Sequence, residues 1–116
     1  RLRIDVKAQK NIDRLVLGYG IKDRLGQVIY GTNTHLKKIP IFNVMAGDSY
    51  RFDIAFSANL GPGTYSVQTA LVSDDTHLTN NYEWRDLALV FNVINIDKPN
   101  FAGCAWIDPV IEISKT

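Results

Sequence analysis

Apolar and polar residues alternate one for one along most of this chain, and no segment sustains a helical period. A period of two sends successive side chains to opposite faces of an extended strand, leaving one face to bury and one to wet. Leu2, Ile4 and Val6 alternate with Arg3, Asp5 and Lys7. The clearest case is 49–57, where Tyr50, Phe52, Ile54 and Phe56 fall opposite Arg51, Asp53, Ala55 and Ser57. Sheets made of such strands hide their apolar faces against one another, which points to a sandwich.

The remaining segments follow suit. Leu15, Leu17, Tyr19 and Ile21 alternate with Val16, Gly18, Gly20 and Lys22. Gly18 and Gly20 weaken a strand unless a bulge or a close backbone approach requires them. Lys22 to Gly26 forms a tight reversal into a strand at 28–32, with Gly26 supplying positive φ. Asn59-Leu60-Gly61-Pro62-Gly63 is a compact turn, and 64–73 is a strand expected to pair with 49–57 as a hairpin. Residues 74–81 read as a polar loop, and 82–95 as the longest strand, interrupted near Arg85 and Asp86. Asp97 to Gly103 connects to a final strand at 104–113, edged by Pro109. The expectation is one all-β domain over 1–116, an antiparallel sandwich of about seven or eight strands.

Composition narrows the class. A hydrophobic share of 46% with 22% charged residues suits a globular core and excludes a disordered chain. Cys104 is the sole cysteine, so no intrachain disulfide forms, as in a reducing compartment. No apolar run approaches the roughly 18 residues of a membrane span. No signal peptide is visible; the chain opens without Met inside what reads as a strand, the expectation for a domain cut from a longer chain. Residues 1–51 hold ten Lys/Arg against four Asp/Glu, and 52–116 hold three against eight. This bias makes either a basic patch for an anionic partner or, once strands interleave, no patch at all. Nucleic acid is not an expected partner, because no basic-aromatic pattern appears.

Catalytic motifs fail one by one. The chain has no phosphate-binding P-loop, and Gly18-Tyr19-Gly20 does not extend to a dinucleotide fingerprint. His35 and His77 lack ligand partners at metal spacing, and Asp74, Asp75 and His77 read as a solvated loop rather than a cation site. Cys104 lies in an apolar segment as a small hydrophobe. A carboxylate pair for glycoside hydrolysis would have to come from Asp53 with Asp86 or Glu83.

Sugar binding asks for other parts: a flat aromatic ring for the C–H face of a pyranose, and planar polar groups for its hydroxyls. Arg51, Asp53, Ser66, Gln68 and Asn92 lie on outward faces by alternation, with Tyr82 and Trp84 near the start of the long strand. On a shared sheet they would form a polar shelf with an aromatic end. Each has a plainer reading. Arg51 and Asp53 suit a cross-strand ion pair, Trp84, Trp106, Tyr19 and Tyr30 suit packing, and Asn33 suits a turn.

The stretches GIKDRLGQVIYGTNT (20–34), GTYSVQTALVS (63–73) and YEWRDLALVFNV (82–93) resemble the C-terminal domain of Wzt-type proteins. These are the ATP-binding subunits of ABC transporters that export O-antigen polysaccharide. The resemblance runs from Ile4 to about Ile113 in family order. It implies an immunoglobulin-like or jelly-roll sandwich downstream of an ATPase domain, non-catalytic and without a cofactor. It also implies a homodimer that exchanges a terminal strand, which the apolar segment 104–113 suits. The module would recognise the non-reducing end of finished polysaccharide, often a capped residue, coupling chain completion to export. Its place would be cytoplasmic, at the inner membrane, joined through the full-length protein to the transporter's membrane subunits. The binding residues named above come from alternation; the family motif does not supply them. A structural or adhesive sandwich contacting protein is the alternative, and a glycan-cleaving enzyme a third reading.

Overall fold

The computed structural model describes residues 1–73 and 81–116, with side chains described for 1–73 and 88–116. Seven strands are seen: β1 (Leu2–Lys7), β2 (Ile12–Lys22), β3 (Val28–Asn33), β4 (Ile41–Val44), β5 (Ser49–Ile54), β6 (Gly63–Val72) and β7 (Asn81–Val93). They form two sheets, β1-β5 and a five-stranded sheet of order β3-β2-β6-β7 in which β4 also pairs with β2. Every pairing is antiparallel. The all-β sandwich expected from alternation is what the chain forms. Among the described residues no helix is long and apolar enough to cross a membrane.

The β1–β5 register shows how the pattern works. Leu2, Ile4 and Val6 stand opposite Ile54, Phe52 and Tyr50, while Arg3 and Asp5 stand opposite Asp53 and Arg51. Ile4, Val6, Tyr50, Phe52 and Ile54 pack onto a buried cluster that includes Leu15, Leu17, Val44 and Leu71 of the larger sheet. Burying each such leucine contributes about 1.5–3 kcal/mol. A slip of one residue would turn the whole apolar row to solvent.

Turn chemistry also matches the residues. Gly26 has φ +83°. Asp23 Oδ1 accepts the N–H groups of Leu25 and Gln27, each at 2.9 Å. At the other end of β3, Asn33 Oδ1 accepts the N–H of Leu36 at 2.7 Å, and Thr34 Oγ1 accepts that of Leu17 at 3.1 Å. Asn33 therefore does hold a turn. The interruption expected near Arg85 and Asp86 is a register shift: Val67 pairs with Leu89 but Thr69 with Arg85, so 86–88 bulge opposite Gln68.

Two expected pairings are not formed. The strand at 49–54 joins β1, not β6, so no 49–57/64–73 hairpin exists. The reason is the first strand's complementarity: β1 offers both the apolar row and the opposite charges that β5 needs, whereas β6 has an apolar row but no charged residue. The final strand at 104–113 is likewise not formed within the chain. Ala105 makes one bridge to Leu60, and the rest is irregular. Ile107, Val110, Ile111 and Ile113 are exposed, and so is Cys104. Near the bridge, Gly61 N–H donates to Cys104 C=O at 3.0 Å and Trp106 N–H to Asn59 C=O at 2.9 Å. A Cβ on Gly61 would lie 1.9 Å from the carbonyl oxygen of Gly103, so only glycine permits this approach.

The smaller sheet covers only part of the larger one. Between them runs an open groove of about 760 Å³, lined among others by Leu2, Ile4, Leu15, Leu17, Val67 and Leu89.

Candidate functional site

β2 is central in its sheet, with β3 on one side and β6 on the other. Its odd positions Leu15, Leu17 and Ile21 are buried, the two leucines in the cluster that meets β1 and β5. Its even positions, Val16, Gly18 and Gly20, look the other way. In register, Gly31, Gly20 and Gln68 form one rung across β3, β2 and β6, and Asn33, Gly18 and Ala70 the neighbouring one. Three of these six positions are glycine. A glycine inside a strand costs about 0.5–1 kcal/mol relative to alanine, so three on one face are a stability loss that asks for a reason.

The reason is space. Where side chains would stand up from the sheet, a shallow trough of about 210 Å³ opens, lined by Val16, Gly18, Gly31, Asn33, Leu36 and Gln68 among others. The Gln68 side chain lies over Gly20: a Cβ there would come within 2.8 Å of Gln68 Nε2 and 3.1 Å of its Cγ. Gly18 is different, since a Cβ would meet Asn33 Cβ at an ordinary 3.6 Å. At the far end, Val16, Ala70 and Val72 make a small buried cluster, and Leu36 stands exposed at the lip.

The polar groups at the trough are amides. Gln68 is half-buried, and its side chain makes no hydrogen bond among the described residues. Asn33 uses its oxygen for the turn, and its Nδ2 likewise makes no bond among the described residues. Among the described residues no unpaired side-chain polar atom is buried, so both amides open to solvent at the trough, where the hydroxyls of a ligand can take the place of water.

The residues expected to form the shelf divide between the two sheets. Gln68 and Ser66 are on β6 and Asn92 pairs with Thr64, so these three occupy one face of the larger sheet by register, while Trp84 pairs with Ala70. Asn92 is engaged there, with Thr64 Oγ1 donating to its Oδ1 at 2.8 Å. Tyr82 is on β7, and the side chains of Tyr82 and Trp84 lie outside the described residues. Arg51 and Asp53 are on the smaller sheet, where Arg51 Nε bonds Asp5 Oδ1 at 2.8 Å and Arg3 Nε bonds Asp53 Oδ1 at 2.9 Å. They are the cross-strand ion pairs of the plainer reading, with β1 as the partner strand. They therefore cannot stand beside Ser66 and Gln68.

Electrostatics separate the two faces further. The hydrogen bond from Arg3 holds the Asp53 carboxyl below its usual range, and both Arg3 and Arg51 are raised by their partners. A lowered carboxyl is the wrong direction for the proton-carrying member of a glycosidase pair. Asp74, Asp75 and His77 lie outside the described residues. Tyr19 packs inward, tilted on Tyr30 at 6.2 Å and stacked on Phe56 at 6.4 Å, and burial raises its hydroxyl pKa. Trp106 packs on Phe101 at 5.2 Å, with Lys98 Nζ 5.9 Å from its ring centre.

Asn33, Leu36 and Gly31 were not singled out for binding by alternation. The sequence carries little signal for them: a reversal at 22–26 counts Gly20 opposite Val28, three residues from its observed partner Gly31, and the strands are further shifted at Ile21/Lys22.

Residues 1–107 match the family described as Wzt C-terminal domain. The fold superposes on the crystal structure of the C-terminal domain of wzt with a TM-score of 0.82 at 21% identity, covering 97% of this chain and 68% of that one. No curated protein sequence matches the chain.

Proposed function

The chain belongs to the Wzt C-terminal domain family, and from that premise we propose that it is a non-catalytic module that holds the non-reducing end of O-antigen polysaccharide. The trough on the outer face of the larger sheet is its binding site. The observation that carries this is Gln68: a half-buried amide without an internal partner among the described residues, laid over a glycine floor. Hydroxyls of a sugar ring supply the donors and acceptors that such an amide lacks. Asn33 adds a second amide, Ser66 and Asn92 extend the same face along β6 and β7, and Tyr82 and Trp84 of β7 are the aromatic residues assigned to the glycan. Arg51 and Asp53 are left out, because their ion pairs lie on the other sheet.

In this reading the domain works on the cytoplasmic side of the inner membrane as part of an ABC transporter, downstream of the ATPase domain. The full-length protein brings it to the membrane subunits, and glycan capture couples chain completion to export. The homodimer forms by exchange of the C-terminal segment. Support comes from that segment's exposed Ile107, Val110, Ile111 and Ile113 and from the open groove between the sheets, whose apolar lining a partner's segment would cover.

The test is a heteronuclear NMR titration with purified O-antigen oligosaccharide. Amide peaks of Gly18, Gly20, Gly31 and Gln68 are expected to move, with an affinity in the millimolar to micromolar range. Gln68→Ala and Trp84→Ala should each weaken binding by about 1–3 kcal/mol without unfolding the domain. Movement confined to β1 and β5 would refute the assignment.

A further inference from the structure

Resting on the reading of the trough as the glycan site, we infer a second subsite on the opposite face of β3. There the Tyr30 ring takes the C–H face of an internal sugar residue, as the glycan runs from the trough over the edge of the sheet. The register sets the two sites side by side. Tyr30 stands opposite Ile21 and Thr32 opposite Tyr19, so Tyr30 and Thr32 share the inner face. Gly31 between them belongs to the outer face and lines the trough.

The inner side carries a row of three rings. Tyr30 is 52% exposed and tilts on Tyr19, with ring centres 6.2 Å and planes 52° apart. Tyr19 stacks in turn on Phe56 at 6.4 Å and 18°, and Phe56, just past the end of β5, is 39% exposed. A lone exposed tyrosine is common on any surface. One whose plane is held by a second and a third ring is preorganised, so little side-chain freedom is lost when a flat partner covers it. A sugar ring offers that partner in its apolar C–H face, with Thr32 beside it for a hydroxyl.

The edge between trough and rings is open. β3 ends its sheet, and among the described residues no strand pairs with its other side. Thr34 N–H donates to Leu17 C=O at 2.9 Å, and the register runs on from there through Tyr19 with Thr32 and Ile21 with Tyr30. Backbone groups alternate along an antiparallel strand, so Thr34, Thr32 and Tyr30 turn theirs to β2 while Asn33 and Gly31 turn theirs to the edge. The Asn33 carbonyl accepts Lys37 N–H at 3.1 Å. Gly31 is exposed and has no side chain, so its N–H and C=O stand open, among the described residues, to hydroxyls of a glycan crossing there.

The experiment titrates the whole domain by NMR with fragments of one, two and four residues cut from the non-reducing end of purified O-antigen polysaccharide. Lengthening the fragment from one residue to four should tighten binding about tenfold. The longer fragments alone should shift the Tyr30 ring protons and give NOEs from them to sugar C–H protons. Tyr30→Phe should keep the gain, since the ring and not its hydroxyl is used. Tyr30→Ala should bind the four-residue fragment no more tightly than the single residue, whose affinity and shifts at Gly18, Gly20 and Gln68 stay as in the parent. The NOEs are read in the parent domain and decide the matter if Tyr30→Ala does not fold. A parent with no gain from length, a gain that survives Tyr30→Ala, or trough shifts without any at the Tyr30 ring overturns this inference and leaves the trough standing. Fragments that move no trough peak overturn both.

Discussion

Gly18 and Gly20 sit two residues apart on one strand and face the same way, yet they do different work. Gly20 makes room for the Gln68 side chain, which a Cβ would push aside. Gly18 has room for a side chain and keeps it empty. Gly18→Ala should therefore raise stability by about 0.4–1 kcal/mol, since it restricts the unfolded chain without crowding the folded one. Gly18→Val should also fold, valine being a good strand former, but its branches would occupy the trough. Thermal denaturation should show both variants at least as stable as the parent, and the glycan titration should show binding lost in the valine variant alone. A valine variant that binds normally would place the site elsewhere.

At the scale of elements, strand identity was readable from alternation, whereas strand partnership was not. β5 was legible as a strand because Tyr50, Phe52 and Ile54 share a face, a local property of any extended backbone. Its pairing with β1 depends on matching rows separated by some 46–50 residues in sequence. No local rule chooses β1 over the nearer β6. The charged row has a measurable consequence. Because Arg3 lowers the Asp53 pKa, the carboxylate's contribution to stability is fully present above the ordinary carboxylate value and disappears as pH falls through the lowered one. The urea midpoints of the parent and Asp53→Asn should differ at neutral pH, converge through that acid window and coincide below it. Both groups are exposed, so the difference should be small and shrink further in high salt.

At the scale of the molecule, the described chain is 67 Å long and 27 by 24 Å across, with a radius of gyration of 18.1 Å. A closed body of about 100 residues has a radius near 13 Å. Residues 106–116 turn Ile107, Ile111 and Ile113 to solvent, and the smaller sheet leaves the groove open. Both apolar surfaces are expected to close in the exchanged dimer. Analytical ultracentrifugation should give about twice the 13.0 kDa of one chain. A variant lacking residues 106–116 should sediment as a single chain or lose solubility as the groove stays bare. A full-length domain that sediments as a monomer at high concentration would rule out exchange.

What the residues determined alone is what depends on neighbours in sequence: period-two strands, the reversal closed by Asp23 and Gly26, the turn held by Asn33, and the break in β7 near Arg85. What tertiary structure decided is which outward faces meet. It set Gln68 over the glycines of β2, and it carried Arg51 and Asp53 away to a second sheet. The physical reason is that an extended backbone dictates the side of a strand on which a residue stands, while the adjacent strand is chosen by distant apolar and charged rows fitting together.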